Sequence, residues 1–75
     1  MTQPSATPVQ AAPDRRAEVV DLCAAALDRG DAATARGDQG AAIDAAAEAG
    51  LWWAIADAYG ATPQEINTRR AGGAR

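Results

Sequence analysis

Residues 52–70 decide the fold, and they read Trp-Trp-Ala-Ile-Ala-Asp-Ala-Tyr-Gly-Ala-Thr-Pro-Gln-Glu-Ile-Asn-Thr-Arg-Arg. Gly60 is suited to the left-handed backbone that ends a helix abruptly. Thr62 is a good N-cap, and Pro63 suits the first helical position after it. Glu65 lies three residues beyond the cap and completes a capping box. The stretch therefore predicts two short helices on either side of a tight glycine turn.

The spacing of apolar residues assigns an inward side to each of these two helices. In the first, the inward positions recur at helical spacing: Trp52, Ile55, Ala56 and Tyr59. In the second, Ile66 is the inward anchor, and the side chains around it are suited to bonding base edges and phosphates. Two helices joined by a tight turn are the core of a helix-turn-helix. The candidate DNA-binding residues are Thr62, Gln64, Glu65, Asn67, Thr68, Arg69 and Arg70.

The chain before this segment predicts further helices and no strands. A helix is expected to open at Pro13 or Asp14 and to stop at Gly30, and a second is expected over 41–49, where Gly50 interrupts it. The expected buried side of the first helix is Val19, Cys23, Ala26, Leu27 and Gly30. We therefore predict an all-α bundle of about four helices with a C-terminal helix-turn-helix.

The predicted organisation is one small domain with two tails. Residues 1–12 hold two Pro and few large apolar groups, so we expect a disordered N-terminal tail. The helical domain is expected over 13–70, and a flexible end over 71–75. No stretch is long and apolar enough to span a bilayer, and the N-terminus lacks the pattern of a secretory signal. We therefore predict a cytoplasmic protein without a membrane partner.

Composition argues against an enzyme. The chain has no His and one Cys, which removes the usual zinc sites and the common catalytic sets. We expect no catalytic residue, metal or cofactor, and we expect Cys23 to be a buried hydrophobe. The net charge is −3, but the basic side chains of residues 61–75 give that end a positive balance. All seven basic residues are Arg, which can grip phosphate or guanine with a planar fork.

Residues 50–70 resemble the helix-turn-helix of small bacterial DNA-binding proteins and sigma-like factors. Those sequences typically read Trp-Ala-x-Ile-Ala-x-Ala-Leu-Gly-Val-Ser-x-Gln-x-Val-x-x-Arg. The matching residues here are Trp52, Ile55, Ala56, Ala58, Tyr59, Gly60, Ala61, Thr62, Gln64, Ile66 and Arg69. The resemblance implies a non-catalytic, sequence-specific protein that binds double-stranded DNA and regulates transcription. It also implies that the helix 63–70 enters the major groove.

Two features leave an alternative open. The first is at two positions of the motif: Leu51 stands where the family usually has a capping residue, and Trp53 stands where a small or polar residue is common. The second is the acidic body of the chain. One Trp is expected in the core and the other partly exposed. The alternative is a protein–protein interaction module, an assembly partner, antitoxin or adaptor, that uses Leu51, Trp52 and Trp53. Because so small a domain buries little surface, we also predict a homodimer.

Overall fold

The protein folds into three α-helices in the computed structural model, which describes residues 6–71 and gives side-chain placements from residue 15 onward. The helices are α1 (Ala6–Ala35), α2 (Gln39–Ala58) and α3 (Pro63–Arg69). No strand occurs between residues 6 and 71, so the predicted all-α class is confirmed.

The predicted number of about four helices is not confirmed, because Gly50 does not end a helix and the two helices predicted on either side of it are one. Gly30 lies inside α1 and Gly50 lies inside α2. A side chain at Gly30 would meet the Cβ of Ala45 at 3.6 Å, so this glycine lies where α1 and α2 pass closely. An interior Gly costs a helix only about 1 kcal/mol relative to Ala, and packing between two long helices outweighs it.

The predicted start of the first helix also changes. The helix α1 starts at Ala6, upstream of Pro13, so residues 6–12 are helical where the sequence predicted a tail. The rest of that predicted tail, residues 1–5, lies outside the described residues. So do residues 72–75 of the predicted flexible end.

Each of the first two helices ends at a glycine with a left-handed backbone. Gly37 has φ +77° and Gly60 has φ +83°. After α2, the N–H of Gly60 donates to the Asp57 carbonyl at 2.9 Å, and the N–H of Ala61 donates to the Ala56 carbonyl at 3.0 Å. These two bonds form a Schellman motif, which satisfies the last carbonyls of the helix. The predicted turn at Gly60 is therefore confirmed.

The core consists mainly of small residues and lies between α1 and the two later helices. Its buried members are Val19, Val20, Cys23, Ala24, Ala56, Ala61 and Ile66, with Leu27, Trp52 and Ile55 packed against them. The predicted burial of Cys23 is confirmed, and burial raises the pKa of its thiol. Trp52 packs on the core and Trp53 is 39% exposed, which confirms the expected division between the two tryptophans.

An ion pair on the surface also joins α1 to α2. The Arg29 Nη2 lies 2.7 Å from the Glu48 Oε1, and the Trp52 Nε1 donates to the other oxygen of that carboxylate at 3.2 Å. The Arg29 side chain holds the pKa of Glu48 below its ordinary value, and the Trp52 bond adds to this effect. Among the helices of the described region, none is both long and apolar enough to cross a bilayer.

Candidate nucleic-acid interface

The helix α3 has one buried side chain, that of Ile66. Ile66 is 2% exposed and belongs to the core cluster, as its predicted role as inward anchor requires. The helix packs mainly against α1. Because α3 has only seven residues, the rest of its surface faces outward or contacts α1 through polar groups.

The predicted capping box is present at the start of α3. The N–H of Glu65 donates to the Thr62 Oγ1 at 3.2 Å, and the N–H of Thr62 donates to the Glu65 Oε1 at 3.1 Å. These bonds satisfy two backbone donors that a helix start otherwise leaves unpaired. Thr62 and Glu65 therefore fix where α3 begins.

Arg16 of α1 connects this cap to the preceding turn. Its Nη2 donates to the Glu65 Oε1 at 2.5 Å, and its Nε donates to the Tyr59 carbonyl at 3.1 Å. A third bond from Nη2 reaches the Gly60 carbonyl at 3.3 Å. The Arg16 bond, followed by the Thr62 N–H, holds the pKa of Glu65 below its ordinary value. One guanidinium thus positions the turn and the helix start together.

The outward side of α3 carries three exposed polar residues, Gln64, Asn67 and Thr68. The Thr68 Oγ1 donates to the Gln64 carbonyl at 2.8 Å, so its hydroxyl bonds within the helix. Among the hydrogen bonds of residues 15–71, none involves the side-chain amide of Gln64 or Asn67. These two amides are three residues apart, which places them about one turn apart on the outer side of the helix.

The last arginine of α3, Arg69, and the residue that caps its end, Arg70, both pair with carboxylates of α1. Arg69 pairs with Asp21. Arg70 pairs with Asp31, and its Nε donates to the Asp28 Oδ1 at 3.2 Å. The Arg70 side chain is 24% exposed, against 45% for Arg69. Both predicted phosphate-binding residues therefore already have anionic partners within the chain.

Asp28 also receives the backbone just after α3. The N–H of Ala71 donates to its Oδ2 at 2.9 Å. This bond, assisted by Arg70, holds the pKa of Asp28 below its ordinary value of 3.8. The carboxylate therefore stabilises the end of α3 in its docked position while it is ionised.

An open groove of about 370 Å³ runs between α3 and Trp53 of α2. Its walls combine the exposed indole with both outward amides. The lining residues are Leu27, Trp53, Pro63, Gln64, Ile66, Asn67 and Arg70. The groove gives α3 an apolar neighbour on one side of its polar surface.

The sequence predictions for this site missed the residues that α1 contributes. Arg16, Asp21, Asp28 and Asp31 were not among the candidates, yet they contact the cap or the arginines of α3. The uneven charge along the chain was the available signal, because an acidic first helix and a basic end attract each other. That signal does not say which carboxylate meets which arginine.

Among residues 15–71, no cluster of three or more potential metal-ligating side chains occurs. No protein-family model, no curated protein and no solved structure matches this chain.

Proposed function

We propose that the protein is a non-catalytic, sequence-specific DNA-binding protein and a regulator of transcription. In this proposal α2 and α3 act as a helix-turn-helix, and the segment 63–70 inserts into the major groove. The observation that carries the proposal is the pair of exposed amides of Gln64 and Asn67 on a capped helix, to which no side chain or backbone group of residues 15–71 is bonded. Asn and Gln side chains can pair with the N6 and N7 atoms of adenine through two hydrogen bonds.

Three further features support this proposal. The Schellman turn and the capping box fix the direction of α3, which matters because base readout depends on placement. Thr68 and Arg69 are exposed and can reach phosphates next to the bases. A helix of seven residues is about 10 Å long, a length that fits within a major groove about 12 Å wide.

The experiment begins with selection of bound duplexes from a random DNA library. Asn67→Ala is then compared with Gln39→Ala, a matched loss of an exposed amide in the first turn of α2. Loss of one good base contact should weaken binding to the selected site by ~1–3 kcal/mol. The control should bind like the wild type. Failure to enrich any sequence, or equal effects of the two variants, would count against base readout.

A second candidate function is protein–protein interaction through the middle of α2. The observation that favours it is the exposure of Leu51 at 59% and Trp53 at 39%. Trp52, also in the predicted set, packs on the core and bonds Glu48. Leu51 and Trp53 are two positions apart and point to different sides of α2, so Trp53, which borders the groove beside α3, is the first residue to test. Binding that survives Arg69→Ala and Arg70→Ala but fails with Trp53→Ala would support this function over DNA binding.

A further inference from the structure

The groove between α2 and α3 places an apolar wall next to two amides. Its apolar lining consists of Leu27, Trp53, Pro63 and Ile66. Ile66 is buried and Leu27 is partly buried against the core, so the apolar surface that a ligand can reach belongs to Trp53 and Pro63, which are exposed. The amides of Gln64 and Asn67 line the same groove. A group that enters it therefore meets an indole and a hydrogen-bonding amide together.

The charge of the groove argues against an ionic ligand. Among the described residues that line it, Arg70 alone is charged. That guanidinium already pairs with Asp28 and Asp31 and is 24% exposed. An anion in the groove would have to displace these carboxylates, and a cation would lie beside a positive side chain. The groove therefore favours a neutral surface that offers an apolar group beside hydrogen-bonding atoms, because a buried charge without a partner is costly.

An A·T base pair presents such a surface in the major groove of DNA. Thymine offers its C5-methyl group beside the O4 acceptor, and adenine offers N6 and N7. In the proposed complex the amides of Gln64 and Asn67 bond these polar atoms. Because the same amides line the groove, the bonded base pairs lie at its mouth, and the methyl group of a thymine among them lies next to the indole of Trp53.

We infer that Trp53 is a specificity-determining residue whose indole contacts the C5-methyl group of a thymine beside the adenine that Gln64 or Asn67 reads. This inference rests on the proposed function and adds a base preference to it, since an amide does not detect a methyl group. An apolar side chain of a protein partner suits the groove less well. It would cover the two amides without bonding them, and an unpaired buried amide is costly.

The test removes one methyl group from the DNA. Each thymine of the selected site is replaced in turn by uracil, which lacks only the C5-methyl group. One such replacement should weaken binding of the wild type by about fourfold, the change that corresponds to the burial of one methyl group. In Trp53→Ala the same replacement should have no effect. In Ile43→Ala, which truncates another exposed apolar residue of α2, it should weaken binding as in the wild type.

The readout is the ratio of the dissociation constants for the thymine and uracil duplexes, measured with one variant at a time. This ratio isolates the methyl group, because partial unfolding of a variant weakens binding to both duplexes alike. The inference is overturned, and the proposed function stands, if the selected site contains no thymine or if no uracil replacement affects the wild type. A uracil effect that persists in Trp53→Ala assigns the methyl contact to another residue and also overturns it. Failure to select any duplex refutes the proposed function itself, and the inference with it.

Discussion

Ile66→Ala should detach α3 from the domain while α1 and α2 remain paired. Ile66 is 2% exposed and is the single buried residue of α3. Truncating a buried Ile to Ala typically costs 2–5 kcal/mol, which combines lost transfer free energy with the cavity left behind. A helix of seven residues cannot persist alone in water, because isolated helices below roughly 12–15 residues are marginal. The ion pairs that remain are half exposed, and exposed pairs contribute about 0–1 kcal/mol each.

Native-state hydrogen exchange is the measurement that separates local from global loss. The amides of Glu65, Ile66 and Arg70, which are bonded in and around α3, should lose protection first, while amides in the middle of α1 keep theirs. The matched control is Ile43→Ala, the same truncation at a 68% exposed position, which should change stability by less than about 0.5 kcal/mol. Uniform loss of protection through all three helices, or none in α3, would refute this reasoning.

Three other expectations follow from single positions. Gly60→Ala should destabilise the fold by about 1–2 kcal/mol because φ is positive there. Gly50→Ala, in an open helical position, should stabilise it by about 0.5–1 kcal/mol, so the thermal unfolding temperatures of the two variants should shift in opposite directions. The pKa of Asp28 is lowered in the folded state from 3.8, so its contribution to stability is present above pH 3.8 and is lost as the pH falls through its folded-state pKa. The free energy of unfolding of Asp28→Asn should therefore depend less on pH in this acidic range than that of the wild type. Asp21→Asn, which frees Arg69, should tighten DNA binding more than Asp44→Asn, an equal change of net charge on the exposed side of α2; equal gains would exclude competition for the arginine.

The features that the sequence predicted correctly depend on neighbouring residues. The capping box at Thr62 and Glu65 involves side chains three positions apart, so its bonds follow from spacing alone. The turn at Gly60 follows from the backbone freedom of one residue. Ile66 is buried because it is the only large apolar residue of its helix. Such features need no knowledge of the partner helix.

The features that were wrong or missed depend on contacts between distant parts of the chain. Gly30 reads as a stop signal locally, but close packing of α1 on Ala45 keeps it inside a helix. Gly50 likewise lies inside a continuous helix, because α2 packs along α1 on both sides of it. Arg16 contacts Glu65 across 49 positions, a distance at which residue spacing gives no guidance. Propensity is a weak guide where tertiary packing decides the helix length.

If the proposed function holds, DNA binding is an exchange of partners for Arg69 and Arg70, because both already pair with carboxylates of α1. In the free protein Arg69 and Arg70 already pair with Asp21, Asp28 and Asp31. The binding free energy from a phosphate contact is therefore only the difference between the new ion pair and the one that it replaces. Arg69 is the one better able to exchange, since its own side chain is 45% exposed, against 24% for Arg70, and exposed pairs are weak. Arg70 is more enclosed and shares Asp28 with the Ala71 backbone, so moving it disturbs the end of α3. In the proposed function, any phosphate contact should therefore come from Arg69 first, and specificity should rest on Gln64 and Asn67, whose amides give up no bond to residues 15–71.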